Sequence, residues 1–279
     1  MTAQTVTLSG ATIDYRDVGS GPVVVFVHGV YIAGAVWDDV VERLSATHRC
    51  IVPTWPLGAH AHEVPDGVDL SAPATARRIP ELLDALDLTD VTLVGNDTGG
   101  GLIQIAIAGD HPGVARVGGV VLTNCDTFDH FPPPSFAPVV ALCRRARPLG
   151  AALVRFFASP PGQVMFLRQV AESKPSAERR AAIFGAFATS ARSRRDGVTV
   201  TASMRPQLTV DAVAKLPALT VPFRVVWGEA DKVFPKDDGA KLAATVPHGV
   251  YDPVPGSGAY VMVDAPDRVA SAISEVAAR

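Results

Sequence analysis

An apolar segment that runs into a glycine-flanked aspartate constrains this chain more than any other feature. Residues Val91–Val94 predict a strand, Gly95-Asn96-Asp97-Thr98-Gly99 follows as a tight turn, and a helical pattern begins at Gly101. Glycine is needed on both sides of Asp97 because a Cβ there would collide with the turn. Such a turn lifts one side chain above a sheet, next to a helix N-terminus. The sequence predicts that this side chain is Asp97.

The identity of residue 97 narrows the chemistry. A carboxylate gains little by attacking an ester carbonyl, because the anhydride product is itself reactive. It is an effective nucleophile towards a saturated carbon that bears a halide or an epoxide oxygen, and it can also act as a fixed charge or a base. The alternative is that Asp97 only caps the turn. A buried carboxylate without a partner is costly, which favours a functional role.

Composition sets the outer limits of the interpretation. The chain has 279 residues, 48% of them hydrophobic, which suits one large α/β domain with an insertion. Its net charge of −3 comes without a basic cluster, so neither nucleic acid nor a membrane is an expected partner. The first ten residues lack a signal-peptide pattern. The cysteines, Cys50, Cys125 and Cys143, have no metal-site spacing and predict buried, reduced thiols in a cytoplasmic protein. Oligomeric state is not readable from the sequence.

Strand and helix patterns alternate along most of the chain. This alternation predicts an α/β fold with a mostly parallel central sheet flanked by helices. The alternation stops at Pro132-Pro133-Pro134, and residues 135–215 are helical in pattern before it resumes. We therefore predict a core of residues 1–130 and 216–279, with an inserted helical cap at residues 131–215.

Further segments follow other predicted strands. His28-Gly29-Val30 comes after the Val23–Val27 strand, and the backbone N–H groups of Val30 and Thr98 could together hold an anionic oxygen. Asp231 follows a late strand, at a place where an acid often orients a histidine. Tyr260 follows the last strand.

Taken in this order, the segments resemble the α/β-hydrolase fold, and the resemblance covers nearly the whole chain. It is strongest to the capped branch that contains haloalkane dehalogenases and epoxide hydrolases. The resemblance implies that Asp97 stands at the nucleophile elbow and that Val30 and Thr98 supply the oxyanion site. It implies a pocket between cap and sheet, a small hydrophobic substrate and no cofactor.

The chain departs from that pattern where the catalytic histidine is expected. The histidine of this branch normally stands seven residues before a proline, and counting back from Pro266 reaches Ala259. In the family this histidine activates the water that cleaves the aspartyl ester. Thr98 also replaces the tryptophan that dehalogenases place after the nucleophile, and Val30 replaces a halide-binding asparagine. Epoxide hydrolases rely on tyrosines in the cap, but none of the four tyrosines of this chain falls in the predicted cap.

Several residues remain open between a functional and a structural role. Tyr260 and Tyr31 could be proton donors, ligand contacts or core aromatics. Asp231 could hydrogen-bond only within its own loop. Asn124 falls near the place where some dehalogenases carry their acid. Asp126 is two residues further, on the same face if the strand alternation holds, although turn chemistry explains it more simply. His60 and His130 are candidates for a displaced base, and no metal site is indicated.

The sequence therefore leaves three functions to compare. The first is an enzyme that acts on a small hydrophobic molecule, with Asp97 as base, electrostatic residue or nucleophile. Its reaction would be a non-hydrolytic one, of lyase, isomerase or cyclase type, or hydrolysis with a displaced base. The second is a hydrolase of the haloalkane dehalogenase or epoxide hydrolase type. The third is a small-ligand-binding protein of the same fold that has lost turnover.

Overall fold

The computed structural model describes residues 4–278, and an eight-stranded sheet lies at its centre. The strand order is β1-β2-β4-β3-β5-β6-β7-β8; β1 and β2 are antiparallel to their neighbours, and all pairs from β4 to β8 are parallel. The strands are β1 Gln4–Leu8, β2 Ala11–Val18, β3 Val23–Val27, β4 Arg49–Thr54, β5 Val91–Asp97, β6 Val117–Cys125, β7 Phe223–Gly228 and β8 Gly249–Val254. The predicted mostly parallel sheet is confirmed.

Helices cover both the core and the segment between β6 and β7. They are α1 Asp38–Leu44, α2 Ala72–Ala85, α3 Thr98–Ile107, α4 Ala137–Arg145, α5 Arg147–Ala158, α6 Pro160–Val170, α7 Ala177–Thr189, α8 Ala191–Ser203, α9 Pro206–Val213, α10 Asp238–Thr245, α11 Val261–Asp264 and α12 Pro266–Ala277. We call α4–α9, which follow one another between β6 and β7, the inserted helices. Residues 1–3 and 279 of the predicted core lie outside the described residues.

Burial on both faces of the sheet explains why the central parallel strands are so apolar. The side chains of β3 after its first residue, and nearly all of those of β5 and β6, are buried. Strands covered by helices on both faces read as continuous apolar runs, which is how they appear in the sequence. The three cysteines are buried and unpaired. No helix within residues 4–278 combines the length and the apolar character needed to cross a membrane.

The element boundaries differ from the sequence prediction most at the turn around Asp97. We expected the helix to begin at Gly101, but α3 begins at Thr98 and contains Gly99, Gly100 and Gly101. Glycine has a low helix propensity, so the local pattern understates this helix. Packing requires it, since a Cβ on Gly100 would lie 2.4 Å from the Cβ of Cys125. Tertiary packing overrides propensity at these positions.

Pro80 lies inside a helix. A proline there removes a backbone donor and favours a kink or a break. The structure has one helix, α2, that runs through it from Ala72 to Ala85. Buried contacts on both sides of Pro80, at Ile79 and Leu82, hold the helix against the core.

Candidate active site

Asp97 occupies a strained position between β5 and α3. Its φ of 56° and ψ of −133° are unusual for a residue with a side chain. Close packing on both sides explains how this geometry is kept. A Cβ on Gly29 would lie 2.3 Å from Oδ2 of Asp97, and one on Gly99 would lie 2.3 Å from the carbonyl oxygen of Val27. The glycines therefore let β3 and α3 approach the carboxylate closely.

A largely apolar cavity of about 210 Å³ lies over Asp97. The core contributes Asp97 and its surroundings, and α4, α5 and α6 of the inserted helices supply much of the rest. The lining residues are Val30, Asp97, Thr98, Asp126, Pro133, Ser135, Phe136, Val139, Phe157, Met165, Phe166, Gln169, Val170, Met204, Val233 and Phe234. Among the described residues that line the cavity, only Asp97 and Asp126 can carry a charge. The arrangement suits a small hydrophobic ligand with one reactive polar group.

The protonation of Asp97 is set by burial. Removal from water, with a smaller contribution from the nearby charge of Asp231, raises the pKa of Asp97 to about 7 in total. The backbone N–H of Thr98 and the hydroxyl of Tyr260 oppose this shift because they favour the ionised carboxylate. The Tyr260 hydroxyl donates to Oδ2 of Asp97 over 3.4 Å. Asp97 therefore titrates near neutral pH.

No imidazole approaches this carboxylate within residues 4–278. The histidines neither line the cavity nor hydrogen-bond to Asp97. His28, next to the site in sequence, has Nδ1 2.8 Å from the oxygen of Gly29 and accepts from the N–H of Trp55 at Nε2 over 2.9 Å. Burial lowers the pKa of His28 to about 4, so its ring is neutral and braces the turn after β3. That Ala259 takes the place of the family histidine stays a prediction.

Asp126 lies on the cavity wall beside Asp97. Its backbone N–H donates to the backbone carbonyl oxygen of Asp97 over 3.4 Å, and the residue is only 1% exposed. Its carboxylate has no ion-pair partner and no backbone N–H donor among the described residues, and only the Thr98 side chain favours the ionised form. Burial, and then the charge of Asp97, hold the pKa of Asp126 well above its usual range. The simpler sequence interpretation, turn chemistry, does not account for a buried carboxyl that lines a cavity and has no backbone N–H donor.

Asn124 and Asp231 form a buried pair behind the cavity wall rather than on it. Nδ2 of Asn124 donates to Asp231 over 2.6 Å, and Oδ1 of Asn124 accepts from the N–H of Gly228. Asp231 also accepts from the N–H groups of Val233 and Phe234. Asn124 is not among the residues that line this cavity, and its amide is fully used between β6 and the loop after β7.

Tyr31, His60 and His130 are also absent from the cavity wall. Tyr31 is stacked on Phe187, with ring centroids 4.8 Å apart, and its hydroxyl lies 2.6 Å from that of Thr201. It joins the core to α7 and α8.

The two candidate histidines pair with distant carboxylates. Nε2 of His60 lies 3.2 Å from Asp196, and Nδ1 of His130 lies 2.6 Å from Asp238. Neither ring hydrogen-bonds to Asp97 in this structure. No group of three or more His, Cys, Asp or Glu side chains within the described residues is arranged to hold a metal ion.

Two residues that the sequence did not single out hold the last loop in place. The Asp264 carboxylate accepts from the N–H groups of Gly258, Glu172 and Ser173, at 2.8, 3.0 and 2.7 Å. Nδ2 of Asn96 donates to the oxygens of Thr123, Asn124 and Ala259. These contacts fix the loop that carries Tyr260. The position of Asn96 inside the predicted turn was the only sequence signal for its role.

Replacing Asn96 with alanine is expected to destabilise the protein by about 2 kcal/mol, because buried oxygens lose their donor. We expect a lower urea concentration at the midpoint of unfolding, measured by tryptophan fluorescence. Thr7→Ala is a matched control, since Thr7 is an exposed strand residue whose side chain contacts only Thr12. Equal midpoints for the two variants would show that Asn96 does not hold the loop.

Comparison of the sequence with known proteins identifies one family. The model of the Alpha/beta hydrolase family matches residues 24–272. Haloalkane dehalogenase 2 of Mycobacterium tuberculosis is 31% identical over 283 residues, covering 96% of this chain and 92% of that protein. Cis-3-alkyl-4-alkyloxetan-2-one decarboxylase of Shewanella oneidensis is 30% identical over 270 residues, covering 94% and 83%.

Solved structures show the same fold. Haloalkane dehalogenase DbeA from Bradyrhizobium elkani has a TM-score of 0.80 with 21% identity over 99% of both chains. A thermophilic esterase from Thermogutta terrifontis has a TM-score of 0.77 with 23% identity, covering 98% of this chain and 97% of its own. At these identities the likeness concerns the fold alone. With its family model matched over residues 24–272 and a relative 31% identical over 96% of its length, this chain belongs to the Alpha/beta hydrolase family of enzymes.

Proposed function

We propose that this protein is an enzyme that attacks a saturated carbon of a small hydrophobic molecule, with Asp97 as the nucleophile. The observation that carries the proposal is the position of Asp97, held by a strained turn at the base of an apolar cavity. An ionised carboxylate in such surroundings is poorly solvated, which favours attack on an electrophilic carbon.

The residues around Asp97 have matching proposed roles. Tyr260 would hold the carboxylate in its attacking orientation through the 3.4 Å hydrogen bond. The N–H groups of Val30 and Thr98 would stabilise an oxyanion after Asp97 has reacted. Asp231 would act indirectly, through its buried contacts with Asn124 and its own loop.

The names of two relatives support this class of substrate. A haloalkane and an oxetan-2-one each contain a saturated carbon bonded to a leaving group, a halide in one and a ring oxygen in the other. The two names point to different substrates, so they do not select one leaving group for this chain. The proposal is therefore limited to the electrophilic carbon.

The remaining parts of the proposal concern organisation. Residues 131–215 would form a cap over the core of residues 1–130 and 216–279, since α4, α5 and α6 contribute to the cavity wall. The expected partner is a small molecule rather than nucleic acid or a membrane. We place its action in the cytoplasm, where three unpaired thiols would stay reduced.

A test uses 1-bromohexane as the probe. We expect bromide release together with a hexyl group on Asp97 in acid-quenched samples, identified by intact-mass measurement and peptide mapping. The initial rate should rise with pH through a midpoint near 7, because only the ionised Asp97 attacks and burial raises its pKa to about 7. A label on any residue other than Asp97 would contradict the proposal.

The matched variants are Tyr260→Phe and Tyr251→Phe. Loss of the Tyr260 hydroxyl removes a donor that favours the ionised carboxylate, so the pH midpoint should move upward. Tyr251 lies in β8 at the edge of the sheet, and its variant should keep the wild-type midpoint. If both variants shift the midpoint equally, Tyr260 has no specific role at Asp97.

The ligand-binding alternative gives a different result in the same assay. A protein that kept the pocket and lost turnover would bind the probe or its alcohol without bromide release. It would also bind equally well after Asp97→Asn, because most of the cavity wall is apolar.

A further inference from the structure

Asp126 differs from the other buried carboxylates that surround the site. Asp231 accepts hydrogen bonds from Asn124 and two backbone N–H groups, and Asp238 is paired with His130. Asp126 is at least as buried, but it has no ion-pair partner and no backbone N–H donor among the described residues, and only the Thr98 side chain favours its ionised form. Burying a carboxyl with so little compensation costs stability, so a merely structural role is a poor explanation.

The position of Asp126 relative to Asp97 suits Asp126 to exchange protons at the reacting carboxylate. The two residues stand at the ends of neighbouring strands, where Asp97 pairs with Cys125, and both face the same cavity. The Thr98 side chain lies beside both carboxyl groups. Two carboxyls in one apolar site resist double ionisation, so the pair holds one proton near neutral pH.

We propose that Asp126 is the acid and base partner of Asp97, and that the pair suits a substrate whose leaving oxygen becomes a basic alkoxide, such as the ring oxygen of an epoxide. This inference rests on the proposed function, in which Asp97 is the nucleophile. It also supplies the base that the missing imidazole would otherwise provide. A division into one nucleophilic carboxyl and one acid–base carboxyl is chemically sufficient for two-step substitution.

The first step can be written with every bond accounted for, using an epoxide. An oxygen of the Asp97 carboxylate forms a bond to a ring carbon, and the bond from that carbon to the ring oxygen breaks. The proton of Asp126 moves to the ring oxygen, which becomes a hydroxyl group. Asp97 is now a neutral ester and Asp126 carries the single negative charge.

The second step returns the site to its starting state. Water adds to Cγ of the Asp97 ester while Asp126 takes one of its protons. The bond from Cγ to the alkyl oxygen then breaks, and the proton on Asp126 goes to that oxygen, which leaves as a diol hydroxyl. Asp97 is left protonated beside an ionised Asp126, and transfer of that proton between the two restores the original pair. The sum is epoxide plus water to diol, and the site never carries two negative charges.

The leaving atom decides how much the first step needs Asp126. A ring-opened alkoxide is strongly basic and must be protonated, whereas bromide leaves as a stable anion. Asp126 should therefore matter to both steps with an epoxide and only to the second step with an alkyl bromide. This difference separates an acid–base role from a general effect on packing.

The experiment compares the whole protein as wild type, Asp126→Asn and Asp129→Asn with 1,2-epoxyhexane and with 1-bromohexane. Asp129 is the matched control, because it is an exposed aspartate in the same loop. We expect wild type to turn over both probes. Asp126→Asn should release about one equivalent of bromide and retain a hexyl group on Asp97, with steady turnover at least about 100-fold slower. Asp129→Asn should behave as wild type.

A measurement on the wild type alone guards against misfolding of the variant. Alkylation by the epoxide needs Asp97 ionised and Asp126 protonated, so its rate should rise and then fall with pH. Alkylation by the bromide needs only ionised Asp97 and should rise to a plateau. The other titratable groups that surround the pair are Cys125 beside Asp126, and Tyr31, Asp231 and Tyr260 around Asp97. Their titration would affect both probes alike.

The outcomes separate this inference from the proposed function. Turnover by Asp126→Asn at the wild-type rate, or identical pH profiles for the two probes, would overturn the role of Asp126 and leave Asp97 as the nucleophile. A lasting ester on Asp97 in the wild type would do the same, since no base would then act. Absence of both adduct and product in the wild type would overturn the proposed function and this inference with it.

Discussion

Replacing Asp97 with asparagine is expected to lower kcat/KM for 1-bromohexane and 1,2-epoxyhexane by about 1,000-fold or more. The amide has nearly the same shape as the carboxyl but no negative charge, so it cannot form the ester. The variant should still fold, because the turn depends on the glycines packed against it rather than on the charge.

The same variant should alter how stability depends on pH. Folding raises the pKa of Asp97 from 3.8 to about 7, so the native state holds this proton more tightly than the unfolded chain does. The resulting stabilisation is fully present below about pH 4 and is lost as the pH rises through about 7. Asparagine has no proton to lose. The unfolding temperature of the variant should therefore rise relative to that of the wild type as the pH increases from about 4 to about 7, and the difference should level off above that range.

Two results would count against this view of Asp97. One is an Asp97→Asn protein that is folded and retains most of its activity, which would assign the chemistry to another residue. The other is a difference in unfolding temperature that does not change with pH, which would mean that Asp97 is not buried as a titrating group. Asp129→Asn is the control for both measurements, because its carboxylate is exposed.

Replacing Gly99 with alanine is expected to have the second large effect, on folding itself. The added Cβ would lie 2.3 Å from the carbonyl oxygen of Val27 and 2.7 Å from that of His28. Both atoms belong to the backbone at the end of β3, which is fixed between β4 and β5 and cannot move aside. We expect a loss of about 4 kcal/mol or more, seen as a large fall in unfolding temperature or in the yield of folded protein.

Gly67 provides the matched control for this prediction. It has a φ of +89°, but a Cβ there would meet nothing within 4 Å. Gly67→Ala should therefore cost only the strain of a positive φ, about 1 kcal/mol. If Gly99→Ala is as stable as Gly67→Ala, then α3 does not approach β3 as closely as the structure indicates.

Local sterics explain why so much of the fold could be predicted from the sequence. The apolar runs of β3 and β5 follow directly from burial on both faces of a parallel sheet. The turn at Asp97 is encoded by the flanking Gly95 and Gly99, because no other residue fits there. The strand prediction at Val23–Val27 matches the structure residue for residue.

The candidate site was less accessible, since it depends on residues far apart in sequence. His60 and His130 are plausible bases when only the sequence is considered. In the structure His60 is paired with Asp196 and His130 with Asp238. Those partners are 136 and 108 residues away along the sequence, so no local pattern predicts the pairing.

By itself, the sequence determined that a parallel sheet presents Asp97 from a glycine-flanked turn, because short-range sterics and hydrophobic alternation act within a few residues. Only the tertiary structure decided that Asp126, and not Asn124, faces the cavity beside it. Gly95 pairs with Leu122 but Asp97 pairs with Cys125, so β6 carries one extra residue across this step and then ends. That irregularity breaks simple alternation, and it arises from the pairing of two strands, which neither strand encodes alone.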